Sequence, residues 1–253
     1  MNAFLAMSYR QLKRFTRAKS RVFGSLLNPI VWLLFFGVGW SRAFNFPAAR
    51  EIFGGVDYLS YLIPGVVSMT IFSGSFISGV TVIWDKQFGF LKETLVAPTS
   101  RSEAILGRII GDSITALLQG VLIMIFSLSL VSLNIYGMIP TIIVGFILAV
   151  AFSSVGITLG LKINSQEGFH LIFGLMMQPL IFLSGAFYPI DAMPLWMKVL
   201  SYINPLTYAV DSARYFLTGV SKFEIFTNIS ILFSLSVILV CLAMYSFEKA
   251  VID

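Results

Sequence analysis

Residues 113–161 read SITALLQGVLIMIFSLSLVSLNIYGMIPTIIVGFILAVAFSSVGITLGL, 49 residues without an Asp, Glu, Lys or Arg. A helix crosses the hydrocarbon layer of a bilayer in about 20 apolar residues. The stretch is too long for one crossing and suits two, and Asn134, Gly137 and Pro140 interrupt it where a short hairpin is expected. Water-soluble helices carry a polar face every turn, so an uncharged run of this length argues for lipid rather than water as the surroundings.

Four further runs extend outward from this pair. Residues 22–41 give 20 uncharged positions and 58–84 give 27, while 168–190 and 225–247 give 23 each, with His170 inside the first of these. The chain therefore reads as one all-α integral membrane unit over residues 1–253, with six transmembrane helices near 22–41, 58–83, 109–133, 139–161, 168–187 and 225–247. Composition agrees: 57% of residues are hydrophobic and 11% charged, against about 25% charged in ordinary soluble domains. Mean hydropathy is +0.89. Cys241 has no second cysteine to pair with and is expected to be a small packing residue.

The formal charge of +5 points to membrane orientation rather than to nucleic acid, because the basic residues flank the apolar runs. With the N terminus inside, six Lys and Arg precede residue 22, four lie between 86 and 108, and Lys162 and Lys249 complete the inner set. Arg42, Arg50, Lys198, Arg214 and Lys222 fall outside. Positive residues are retained in the cytoplasm, so both termini are expected there, in a multi-pass protein of the cell membrane. No small-x-small cleavage site follows the basic start, so no cleaved leader is expected. Within residues 1–21, Leu5, Tyr9, Leu12 and Phe15 recur at helical spacing beside Arg10, Lys13, Arg14 and Arg17. This suits an amphipathic helix lying on the inner membrane face, or a solvated basic tail that only sets orientation.

Catalytic patterns are missing. The nearest spacing to a phosphate-binding loop, Gly74 to Gly79, is followed by Val80 and Thr81 instead of Lys and Ser or Thr, and there is one His and no CxxC, HExxH or GxSxG. Asp112 and His170 are the ionisable residues expected inside crossings, both near inner ends. An energy source on another chain is the expectation. Gly107 with Gly111 and Gly156 with Gly160 are GxxxG pairs that allow close helix contact without naming a dimer face.

Two segments outside the crossings carry information. In the inner loop DKQFGFLKETLVAPTSRSEAILGR, residues 85–108, Phe88, Leu91 and Leu95 share a helical face and Pro98 stops the helix, giving a short amphipathic element near 86–98. Ser100 and Glu103 then form a capping box. Such an element is either a docking surface for a cytosolic partner or a connector facing lipid. On the outer side, residues 188–220 are too long for a hairpin turn. Trp196, Val199, Leu200 and Ile203 share a face, Asn204 and Pro205 supply an N-cap and a first-turn proline, and Gly219 supplies a stop. Two short helices re-entering the outer leaflet are expected, with an aromatic interfacial belt as the alternative.

The inner loop resembles that of ABC-2-type transporter permeases, in which a Gly, a Glu and a Leu precede a Pro-x-[Ser/Thr]-Arg turn, here Gly89, Glu93, Leu95, Pro98, Ser100, Arg101 and Gly107. The outer segments FLSGAFYPIDAMPLW and INPLTYAVDSARYFLTG are similar to the family's second signature, carried by Ser184, Gly185, Pro189, Pro194, Asn204, Pro205 and Arg214. The likeness extends over essentially the whole chain. It implies the transmembrane subunit of an ATP-binding-cassette exporter, working as a dimer, a homodimer being the simpler case, with two separate ATPase subunits that bind ATP and Mg. This chain itself is expected to hold no cofactor or metal. Phe88, Gly89, Leu91, Glu93, Leu95, Pro98 and Arg101 would form the coupling helix that contacts the ATPase, and Ser184, Gly185, Pro189, Asn204, Pro205 and Arg214 the outer gate. An uncharged path suits an amphipathic drug or lipid as substrate. A lipid-linked polysaccharide, O-antigen or teichoic acid is the second expectation, and a non-transporting scaffold or an ATP-independent channel the third.

Overall fold

The structure, a computed structural model, describes residues 2–44 and 46–250, leaving residues 1, 45 and 251–253 of the expected unit and the side chains of Lys19, Arg21 and Ala49 outside the description. The described residues are helical with no strands. Helix α1 (Ala3–Arg17) precedes α2 (Lys19–Trp32), which continues through a π-helical stretch, Leu33–Val38, into a last α turn at Gly39–Ser41. A short α3 (Pro47–Ile52) follows. Helices α4 (Tyr58–Phe76) and α5 (Gly79–Gln87) together make one long span, Tyr58–Gln87. The loop helix α6 (Phe90–Val96) leads into α7 (Arg101–Ser127), α8 (Ile135–Lys162) and α9 (Gln166–Phe182). Two short helices, α10 (Leu195–Ile203) and α11 (Pro205–Thr218), come before α12 (Ile225–Glu248).

Five of these segments are long and apolar enough to cross a membrane: Val22–Ser41, Tyr58–Gln87, Arg101–Ser127, Ile135–Lys162 and Ile225–Glu248. The expected fifth crossing, 168–187, is α9, which has 17 residues and ends at Phe182 in a turn. The hairpin within the long run also lies elsewhere than expected. It occupies residues 128–134, and Asn134 caps α8 by accepting from Tyr136 N at 3.1 Å. Gly137 and Pro140 lie inside α8, where Gly137 allows close approach to the backbone of Phe216 instead of breaking the helix.

Helix α4 is apolar all round and buried on nearly every side, as expected for the centre of a bundle. It packs against α7, α8 and α11 and against the π-helical stretch of α2. Asp57 starts it, accepting from Ser60 N at 3.1 Å. Phe72, Phe76 and Phe152 form a buried aromatic cluster with edge-on contacts, where Phe72 and Phe152 lie 4.5 Å apart. Farther along, α5 crosses α8 with backbones in contact: a Cβ on Gly79 would collide with Gly156 O, and one on Gly160 with Gly79 O. The other GxxxG pair seats α1 on α7, because a Cβ on Gly107 would strike Phe4 and one on Gly111 would crowd Ser8 and Gln11. Both pairs serve contacts within one chain.

Helix α1 forms as expected, but with a different inward face. Met7, Ser8 and Gln11 are buried against α7, and Ser8 Oγ donates to Gly107 O at 2.8 Å. Leu5 and Tyr9, on the expected apolar stripe, face outward, as membrane contact requires. Cys241 is exposed on α12 rather than packed inside. The pair α10 and α11 has the expected caps: Asn204 accepts from Leu206 N at 3.0 Å, Pro205 opens α11 and Gly219 closes it with φ of 81°.

Candidate functional site

The loop helix starts later than its expected range of 86–98 because Gly89, with φ of 77°, turns the chain between α5 and α6. Phe88 therefore lies outside the helix and is 84% exposed. Leu91 and Leu95 are buried in an apolar cluster with Val82, Ile105, Ile109 and Phe247, so they fasten α6 to the chain itself. Glu93, Val96 and Pro98 remain exposed beside Phe88. Arg101 donates to Glu248 O at 3.1 Å and ties the start of α7 to the end of α12. Of the expected capping box, one half is present: Ser100 Oγ accepts from Glu103 N at 3.4 Å.

A knot of charges lies behind α6. Asp85, at the end of α5, accepts from Arg10 at 2.7 and 3.2 Å and from Arg108 at 2.6 Å. Arg108, 2% exposed, also donates to Thr81 Oγ1 at 2.7 Å, and its Nε lies 3.9 Å from Asp112. The Arg10 guanidinium sits 3.7 Å above the ring of Phe90, the first residue of α6. One carboxylate thus joins α1, α5 and α7, and Arg10 carries the connection to the loop helix. Buried pairs of this kind fix geometry, since either partner left alone would be a desolvated charge. Arg10 and Arg14, expected on a basic surface, lie near Asp85 at 2.7 and 3.9 Å. The sequence contains the i,i+4 spacing of Arg108 and Asp112, but nothing in it signals the pairing with Asp85 or with α1.

A second polar centre lies at the opposite end of the bundle. Arg214 of α11, 4% exposed, donates to Gly185 O at 2.7 Å and to Tyr61 O at 3.4 Å and stacks on the Tyr61 ring at 3.7 Å. Gly185 accepts from Tyr61 Oη too, at 3.1 Å, and takes φ of 73° to present that carbonyl. Ser184 braces the same turn, accepting from Ala186 N at 3.3 Å, and Pro189 lines the adjoining pocket with Arg214. Asn204 reaches back to Leu180 O at 2.6 Å. The six expected residues of this end thus belong to one structure joining the end of α9 to α11. Sequence reading missed Tyr61, and it missed Asp211, which accepts from Lys222 N, Phe223 N and Asn228 Nδ2 and holds the turn into α12. Burial holds the Tyr208 hydroxyl above its ordinary pKa, so it stays protonated and donates to Tyr202 O.

The ABC-2 type transporter family model matches residues 2–218. The chain belongs to that family. The ABC-2 permease is 31% identical over 194 residues to a protein of Cyanophora paradoxa named as a transport permease, ycf38, in an alignment covering 75% of this chain and 65% of the relative. It is 25% identical over 190 residues to the inner membrane transport permease YadH of Escherichia coli, covering 74% of each chain. A protein of Escherichia coli named as a multidrug ABC transporter permease, YbhR, is 26% identical over 165 residues, covering 63% of this chain and 44% of the relative. Both polar ends of the permease lie within the matched residues, apart from the turn around Lys222 and α12.

Proposed function

We infer that this permease is the membrane subunit of an ATP-driven exporter, energised by separate ATP-binding-cassette ATPase subunits that bind ATP and Mg. The observation that carries this reading is the mounting of α6. Its inner face, Leu91 and Leu95, is locked to α5, α7 and α12, whereas Phe88, Glu93 and Val96 face away from the chain. A short helix so held transmits a push applied to its outer face into the two long helices on either side of it. Phe88 and Val96 then supply apolar contact with the ATPase and Glu93 polar contact, while Leu91, Leu95 and Arg101 anchor the lever.

In this reading α9 is the fifth crossing and brings their number to six, reaching through the layer with the turn at 183–190, and both termini are cytoplasmic. A second copy sits against α2 and α9, whose apolar side chains Phe23, Leu27, Leu171 and Leu175 are exposed. Arg214 and the turn at Gly185 shape the exit. The substrate is an amphipathic drug or lipid. Purified permease and its ATPase in vesicles test the reading: Phe88→Asp or Glu93→Ala should lower coupled ATP hydrolysis about tenfold, as loss of a central interface contact does, with insertion unchanged. Wild-type coupling in both variants would remove α6 as the docking element.

A further inference from the structure

At the end of the bundle that carries α6, a recess of about 670 Å³ opens between the ends of α5, α8 and α12 and α6 itself. Lys86, Lys92, Lys162 and Lys249 line it, and its lining includes no Asp or Glu. Four cations around one space raise its potential and draw in an anion. The C-terminal ends of α8 and α12 both meet here, and bare carbonyls at helix ends would repel an anion. Cations already cover several of them. Lys86 Nζ donates to Leu161 O at 2.9 Å and to Ile163 O at 3.4 Å, and Arg101 donates to Glu248 O at 3.1 Å. Lys162 and Lys249 are exposed and make no salt bridge among the described residues, so their charge is surplus to this capping.

The recess also has an apolar approach. Ile238, Leu242, Tyr245 and Lys249 follow one another at helical spacing along α12, and the first three are exposed. Ile238 and Leu242 lie within the apolar span Ile225–Glu248 and meet acyl chains there. The stripe leads from them past Tyr245, a residue type suited to headgroup depth, to Lys249, whose ammonium lies 4.5 Å above the Tyr245 ring. A soluble anion would use the lysines and leave the stripe bare. An acidic segment of a protein partner would not follow the stripe into the layer. A phospholipid uses both.

We propose that this recess holds the headgroup of an anionic phospholipid, its phosphate met by the lysines of the lining and its chains lying along Ile238 and Leu242. A zwitterionic lipid brings a cation of its own against the same lysines and binds less well. The recess shares no residue with the pocket beside Arg214 or with the cavities along α2, so the lipid is a resident of the permease at a place of its own. Its leaflet is the inner one in the orientation proposed above, but binding rests neither on that orientation nor on the ATPase. The permease is freed of lipid in mild detergent and titrated with phosphatidylglycerol or with phosphatidylcholine of the same chains, and bound lipid is counted by native mass spectrometry.

Phosphatidylglycerol should fill the first site at a concentration about tenfold lower than phosphatidylcholine, the scale expected when several cations meet one anionic headgroup. Lys162→Gln together with Lys249→Gln should erase most of that preference. Lys162→Arg with Lys249→Arg should keep it, which separates loss of charge from loss of fold. Lys13→Gln with Arg17→Gln removes the same charge from exposed positions of α1 and should keep it as well. Equal binding of the two lipids by the wild type, a preference that survives in the Lys162 and Lys249 Gln pair, or its loss in both Gln pairs alike overturns the proposal. Glycerophosphoglycerol, the same headgroup without chains, serves as competitor. Little displacement at concentrations matching the lipid supports the site, whereas full displacement would make it a site for a free anion and overturn the lipid. Loss of ATPase co-purification in the Lys162 and Lys249 Gln pair with lipid preference intact would assign the recess to the protein partner instead.

Discussion

At the scale of single residues, Asp85 is the position on which most depends. It is 4% exposed and serves Arg10 and Arg108 together. Replacing it by Asn would leave Arg108 desolvated without its nearest counter-charge, a change of the kind that costs about 3–5 kcal/mol. Arg10→Gln removes a cation whose side chain is 29% exposed, so solvent screens much of the loss and about 1 kcal/mol is expected. Thermal unfolding of the two variants in detergent, followed by size-exclusion chromatography, should rank them in that order. Equal losses would show that the pairing with α1 matters as much as the pairing across the loop helix. The cluster could not be read from the chain because Arg10 and Asp85 are 75 positions apart, and each alone looks like an ordinary charge flanking an apolar run.

At the scale of elements, the same polar residues explain why α1 lies against α7 rather than floating on lipid alone. The seat is made by Gly107 and Gly111. Gly107→Val should force α1 off and expose Arg10 and Arg14 to trypsin, whereas Gly24→Val, with nothing within 4 Å of the added carbon, should leave cleavage unchanged. Cleavage at the wild-type rate in Gly107→Val would mean that the seat can yield. Helices α10 and α11 are legible in the sequence because Asn204, Pro205 and Gly219 are local signals, each acting through its own backbone. The start of the loop helix is hidden from the sequence because the apolar spacing of Phe88 with Leu91 and Leu95 suits one continuous helix, and the left-handed turn at Gly89 that separates them leaves no periodic trace.

At the scale of the whole molecule, the bundle is organised around α4 and the crossing of α5 over α8. Gly156→Leu would place a branched side chain against Phe76 O and the backbone of Gly79, and overpacking with no flexible neighbour to yield typically costs about 1–3 kcal/mol or more. Loss of the monodisperse peak in detergent is expected. Gly174→Ala, whose added carbon meets nothing within 4 Å, should elute as wild type. Membrane class and most spans followed from the uncharged runs, because hydrocarbon imposes the same length on every helix that crosses it. The helix expected over 168–187 ends five residues earlier: the run stays apolar through Ile190, but the chain leaves the helix after Phe182 to build the turn that meets Arg214.

The π-helical stretch Leu33–Val38 gives α2 a property that none of the other long helices shares. A π turn holds a surplus residue relative to an α turn, and each residue of an α-helix subtends about 100°. Expelling that residue at either end of the stretch would swivel one half of α2 about its own axis relative to the other while the helix stayed intact. Gly37, pressed against Leu59 of α4, sits inside the stretch and acts as its detent. This helix thus carries torsional slack beside a closely fitted contact, and release of that contact would turn Trp32 relative to Trp40.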